Sequence, residues 1–170
     1  MYLAPKALLG HRSEETVPGE PPLTDEGRKL LKEMIDAPLG DRSKWKPRWP
    51  ELTDYTVEIG KGRIVREGDQ VTIVTYGRHV LISRDVADKL REEGISVEVI
   101  DMRTLWPYDW EMISSSIRKT KRVIFVNEDT EVTNFGEHLL RRTVEELFYE
   151  LHARPRLLAG AFVPGIGLSD

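Results

Sequence analysis

Cysteine is absent from all 170 residues, which excludes disulfides, zinc–thiolate sites and thiol nucleophiles. No apolar run approaches the ~20 residues that a membrane-spanning helix needs, so no membrane partner is expected. An excess of basic charge is missing as well. Lys and Arg number 25 against 29 Asp and Glu, a formal net charge of −4, which argues against a nucleic-acid partner. The opening stretch, MYLAPKALLG, lacks a charged leader ahead of a long apolar run and does not read as a secretory signal, so a cytoplasmic location follows by default. No nucleophile elbow, Walker loop or HExxH pair occurs. What is present, 39% hydrophobic and 32% charged residues, suits a globular chain with a highly charged surface.

Two textures divide the chain. From His11 to Asp54 prolines and charges crowd out apolar positions, and the only periodic piece is TDEGRKLLKEMIDA. Thr24 reads as its N-cap, with Asp25 and Glu26 in the first turn. Leu30, Leu31, Met34 and Ile35 form an apolar stripe at helical spacing. This arm has too little apolar content to order itself and is expected to be ordered only where that stripe docks. From Tyr55 the pattern is regular. YTVEIGKGRIVREG predicts one or two short strands and VTIVTYG a strand stopped by glycine. HVLISRDVADKLREEG predicts a helix closed at Gly94, with Val80, Ile82, Val86 and Leu90 inward. ISVEVI is the next strand, and DWEMISSSIRKT a helix capped by Asp109 with Lys119 in its last turn. RVIFVNED is a further strand. NFGEHLLRRTVEELFYEL reads as the longest helix, with Leu139, Leu140, Thr143, Val144, Leu147 and Leu151 inward, and ARPRLLAG as the last strand. Alternating strands and helices joined by short loops require parallel strands with helices on both faces.

Such sheets place ligands and partners beyond the carboxyl ends of their strands. The tips are TYGRH, DMRTLWPYD, NEDTEVTNFG and AGAFVPGIG. His79, at a helix start, reads as surface; His138 as a helix-face residue packing on a neighbour; His152 as a helix-end cation; His11 lies in the arm. Their spacing shows no metal-ligand pattern. GKGR at Gly60 lacks the strand–loop–helix setting of a phosphate loop. Glu128 and Asp129 read equally as a solvated loop or an acidic patch facing a partner. Trp45, Trp49, Trp106 and Trp110 sit beside loop prolines, where large aromatics suit interfaces and local packing alike.

From Tyr55 to Gly160 the chain resembles the C-terminal domain of transketolase-fold enzymes, most closely the beta subunit of the thiamine-diphosphate-dependent component of 2-oxo acid dehydrogenases. The stretches that carry this are YTVEIGKGRIVREGDQVTIVTYG, EEGISVEVIDMRTLWPYDWEMISSSIRKTKRVIFVNED and NFGEHLLRR. Asp101, Arg103, Thr104, Leu105, Pro107 and Asp109 match the family loop D-x-R-T-L-x-P-x-D, and YLAPKALL resembles the exit from a preceding pyrimidine-binding domain. The resemblance implies a three-layer α/β/α fold with a mostly parallel five-stranded sheet and one antiparallel edge strand. It divides the chain into an exit linker (1–12), a Pro-rich arm (13–54) and a transketolase C-terminal-like domain truncated at its C-terminus (55–170). A longer link than the family's, from Gly10 to Asp54, suggests fused alpha and beta parts, and the whole reads as a fragment cut at both ends. The family's catalytic histidine, cofactor-holding glutamate and diphosphate motif have no counterpart in the chain.

The resemblance implies thiamine diphosphate and magnesium in the parent enzyme, none of it bound here, with no catalytic, cofactor or metal residues in this piece. The implied partners are other domains or subunits, as a homodimer or an alpha2beta2-like assembly, and a lipoyl acyltransferase core. Asp101, Arg103, Thr104, Trp106, Glu128, Asp129, Phe135 and Gly136 are the interface candidates. Arg103 leads because its planar guanidinium suits bidentate pairing with a carboxylate. The C-terminal domain of a transketolase or deoxyxylulose-phosphate synthase is one alternative; a free-standing flavodoxin-like binding module is another.

Overall fold

The computed structural model describes residues 56–163 together with Thr24 and Asp25. Thr24 is non-helical and Asp25 helical, the arrangement an N-cap at Thr24 requires. The apolar stripe of that segment, Trp45, Trp49 and His11 lie outside the described residues. The chain divides between Val57 and Glu58, and the account below concerns the unit that begins at Glu58.

Five strands, β1 (Arg63–Arg66), β2 (Val71–Thr75), β3 (Val97–Asp101), β4 (Val123–Thr130) and β5 (Arg156–Gly160), form one sheet in the order β1-β3-β2-β4-β5. β2, β3, β4 and β5 are parallel, and β1 alone runs antiparallel, against β3. The helices are α1 (Arg78–Glu92), α2 (Trp110–Thr120) and α3 (Phe135–Leu147). β2 is β-branched throughout and β3 is so apart from Glu98 and Asp101; both are buried on both faces, as central strands of such a sheet are.

One face packs Val74, Ile100, Val123 and Phe125 against Ile113 and Ile117 of α2 and Leu139 and Leu147 of α3. The other packs Ile73, Val97 and Val99 against Ala87 of α1. Caps fix where α2 and α3 begin. Asp109 accepts from the Met112 amide, and Asn134 accepts from the Glu137 amide while Glu137 reaches back to the Thr133 amide at 2.7 Å. Gly94, at φ +80°, closes α1 as its position in the sequence predicts.

Two expectations are corrected. The longest helix is α1, of 15 residues; the NFGEHLLRRTVEELFYEL segment breaks after Leu147 into a 3-10 turn over Phe148–Glu150. On the inward face of α1 Leu90 packs against the core as expected, but the fully buried residues are Ser83 and Ala87, while Ile82 and Val86 are exposed. Small residues on that face let the helix backbone approach the sheet closely, and the larger branched side chains are carried outward.

Candidate interaction edge at the carboxyl ends of the strands

Since four strands are parallel, their carboxyl ends share one edge. Thr75 of β2 is level with Asp101 of β3 on one side and with Val126 of β4 on the other. The β3–α2 loop, the start of α1 and the β4–α3 connection are therefore neighbours there, as the sequence implies.

The β3–α2 loop is held from beneath. Asp101 Oδ1 accepts from the Arg103 amide at 3.0 Å, and Arg103 takes the left-handed backbone at φ +56°. Thr104 Oγ1 accepts from the Gly60 amide at 3.1 Å, and Asp109 Oδ2 accepts from the Gly62 amide at 3.4 Å. Gly60, at φ +86°, presses on Pro107, where an added Cβ would lie 3.2 Å from Cγ. The glycines of GKGR are thus braces, and their amides are spent on this loop. The bond between Trp106 and Pro107 is cis, and Trp106 stands 80% exposed. The Arg103 side chain is exposed and makes no ion pair among the described residues; the Asp101 carboxylate serves the backbone instead.

Burial raises the Asp101 carboxyl above the ordinary value, opposed by the Arg103 amide and the charges of Arg103 and Arg63. A raised folded-state value favours the neutral acid. Its stability contribution is complete below the ordinary value, about 3.9, and is lost as pH rises through the folded value. Asp101→Asn, which keeps the oxygen facing the Arg103 amide, is therefore expected to be at least as stable as wild type at neutral pH. The difference should vanish below about pH 4, which denaturant titrations across pH would check.

A second set of groups ties the loop to α3. Arg142 Nη1 donates to Tyr108 Oη at 2.7 Å, and Tyr108 Oη shares a second hydrogen bond with His138 Nε2, also at 2.7 Å. Arg142 Nε and Trp110 Nε1 both donate to Glu146, at 2.6 and 2.7 Å. The guanidinium lies 4.3 Å above the Trp110 ring, a cation–π contact. Phe135 meets Tyr108 edge to face at 5.4 Å. Hydrogen bonds from Arg142 and then Trp110 lower the Glu146 carboxyl, and the bond to Glu146 raises Arg142 further. His138 packs on its neighbours as expected. Sequence reasoning passed over Tyr108, Arg142 and Glu146 as site residues. The signal was the i, i+4, i+8 spacing of His138, Arg142 and Glu146, one helix face.

On the far side of β2, Glu128 and Asp129 are exposed and make no ion pair among the described residues. They lie close enough to Tyr76 to join its burial in raising that phenol. Phe135 is half-buried within the Tyr108 cluster and Gly136 is fully buried, so both shape the edge from inside. His79 is not the plain surface residue expected. Its Nδ1 is buried without a partner, and the ring lines an open cleft of about 290 Å³ with Asn127, Glu128 and Leu158. Among the described residues no cluster of three or more His, Asp or Glu could hold a metal ion.

Residues 60–168 match the model of the family described as Transketolase, C-terminal domain. The chain belongs to this family. This transketolase C-terminal domain is 36% identical over 113 residues to the 2-oxoisovalerate dehydrogenase subunit beta of Bacillus subtilis, covering 66% of the chain and 35% of that protein. It is 41% identical over 112 residues to the mitochondrial pyruvate dehydrogenase E1 component subunit beta-1 of Arabidopsis thaliana, covering 66% of the chain and 31% of that protein. Among solved structures it resembles a chain of a split-gene transketolase, described as an inactive beta4 tetramer. The TM-score is 0.59 and the identity 29%, over 68% of the chain and 37% of that one. The matched segment of this transketolase C-terminal domain spans about a third of each of these relatives.

Proposed function

We propose that this chain supplies the non-catalytic assembly part of a thiamine-diphosphate-dependent 2-oxo acid dehydrogenase, an enzyme that decarboxylates a 2-oxo acid and passes the acyl group to a lipoyl arm. The observation that carries the reading is the 36–41% identity to beta subunits of 2-oxoisovalerate and pyruvate dehydrogenases. The lower identity to the split-gene transketolase, 29%, ranks a transketolase role second. Other subunits or domains, a lipoyl acyltransferase core and a cytoplasmic location belong to the same proposal.

The chemistry of the edge fits assembly better than cofactor binding. Thiamine diphosphate needs donors for two phosphates and oxygen ligands for a magnesium ion. The Gly60 and Gly62 amides, the donors closest in sequence to a phosphate loop, are occupied by Thr104 and Asp109. The described residues therefore do not fit the cofactor. The exposed groups at this edge, Arg103, Trp106, Glu128 and Asp129, are of the kinds that serve recognition between proteins.

The expected result is an isolated chain that neither binds thiamine diphosphate nor turns over pyruvate or branched 2-oxo acids. Calorimetric titration with the cofactor and magnesium, and a decarboxylation assay, check this. Saturable binding would overturn the reading.

A further inference from the structure

We propose that β5 is the docking strand for an extended acidic segment of a different protein, which joins the sheet beside it as a further strand. The inference concerns the outer flank of the sheet, away from the β3–α2 loop, and does not rest on the reading of the carboxyl edge.

Strand order supplies the first argument. β5 ends the order β1-β3-β2-β4-β5, so β4 is its only partner among the described strands. Its outer row of backbone donors and acceptors is an open template, of a kind that another polypeptide backbone matches. Pro155, which has no N–H, bars pairing ahead of Arg156.

One face of β5 is open as well. The core beneath α1 is built from β2 and β3, with Val65, Ile124 and Val126 of β1 and β4 packed around it, and it takes in no residue of β5. Leu157 turns the other way, against the core beneath α2 and α3. Leu158 is left 53% exposed, and Phe162 and Val163, just past the end of the strand, are exposed too. Neighbouring strands lie about 4.8 Å apart, so an added one would bring its side chains against Leu158.

Charge names the partner. His152, Arg154 and Arg156 lead into β5, and the His152 amide donates to the Lys121 carbonyl at 2.9 Å, which brings Lys121 and Arg122 alongside. None of these side chains forms an ion pair among the described residues, in a chain whose net charge is −4. Glu150, the one carboxylate between Leu147 and Gly160, is engaged by Arg118 at 3.2 Å. A cationic approach to an unpaired strand favours an acidic segment. The same arginines repel a second β5, so the segment belongs to a different protein. Arg156 and Leu158 share a face, so the segment carries an acidic and an aliphatic residue two positions apart. A nucleic acid would match the charges and leave the backbone row and Leu158 unused.

Titration of the isotope-labelled full chain, followed through amide NMR shifts, tests this. The probe is a capped peptide of Glu-Thr-Val-Thr repeats, which sets glutamate and valine on one face. The expected result is saturable binding, with the shifts concentrated on Arg156–Gly160. Arg154→Glu/Arg156→Glu should weaken binding at least about tenfold and, both positions being exposed, keep the wild-type melting curve. A fully N-methylated peptide of the same sequence keeps the charges but lacks the backbone donors, and should not bind. Absence of saturable binding, equal affinity for the N-methylated peptide or for the variant, or tighter binding of a single-stranded thymidine oligonucleotide would each overturn the inference. None of those outcomes touches the assembly reading, which the cofactor titration tests separately.

Discussion

Replacing Lys119 with alanine is expected to destabilise the domain by about 3 kcal/mol. Glu98 lies in the middle of β3 with its side chain wholly buried, and Lys119, from the last turn of α2, is its only ion-pair partner among the described residues. The second oxygen of Glu98, Oε1, makes no hydrogen bond at all. Removing the ammonium leaves a carboxylate that is wholly buried in the folded domain without its counter-charge, and water entering along the path of the 43% exposed Lys119 side chain offsets only part of that loss. Replacing both partners by apolar residues of similar volume, Glu98→Leu with Lys119→Met, removes the charge along with its counter-charge. That double variant should recover to within about 1 kcal/mol of wild type. Chemical denaturation of the three proteins makes the comparison. Equal loss in the single and double variants would show that packing of the two stems, and not the charge, is what matters there.

Gly136→Ala should cost about 2–3 kcal/mol and lower Tm by about 10 °C or more. A methyl group at this position would fall against Asn127 Oδ1 and within 2.5 Å of Leu157 Cδ1, with Asn134 Oδ1 at 3.0 Å. All three are side-chain ends, but Asn127 is buried and Asn134 is fixed by its bonds to the Glu137 amide and the Thr130 carbonyl, so only the half-buried Leu157 has room to give. The gain of roughly 1 kcal/mol that alanine brings to a helix is outweighed. Differential scanning calorimetry reads the shift. A variant that melts with the wild type would mean that α3 slides outward at little cost.

Much of this was legible in the residues. Period-two and period-3.6 apolar patterns, together with glycines after β2 and α1, gave each element and the alternation that makes a sheet parallel. Asp109 announced the start of α2. The inward face of α1 was misread at Ile82 and Val86, though not at Leu90, because full burial there follows backbone approach, which favours Ser83 and Ala87, and not side-chain size. No glycine or proline marks the break after Leu147, so the helix was carried too far. At the edge, the placement of Arg103, Trp106, Glu128 and Asp129 followed from strand order alone. The Tyr108–His138–Arg142 contacts did not: the spacing of His138, Arg142 and Glu146 marks one helix face, but nothing local ties that face to Tyr108, 30 residues away. The second role of GKGR was equally hidden: the two amides reach side chains 44 and 47 positions away.

The antiparallel strand has a consequence in time. β1 is made before every other strand described here, yet its only neighbour is β3, whose matching residues follow 33 to 38 positions later. While the polypeptide is being synthesised β1 must wait, unpaired, until β2, α1 and β3 have left the ribosome, because contacts so far apart in sequence carry the larger closure entropy. Only when it returns to the far side of β3 can Gly60 and Gly62 give their amides to Thr104 and Asp109. The segment bearing Arg103 and Trp106 acquires its shape at that moment. The β3 side of the surface offered for recognition is thus completed by the first strand to be born, and a chain that stops short of Asp109 cannot present it.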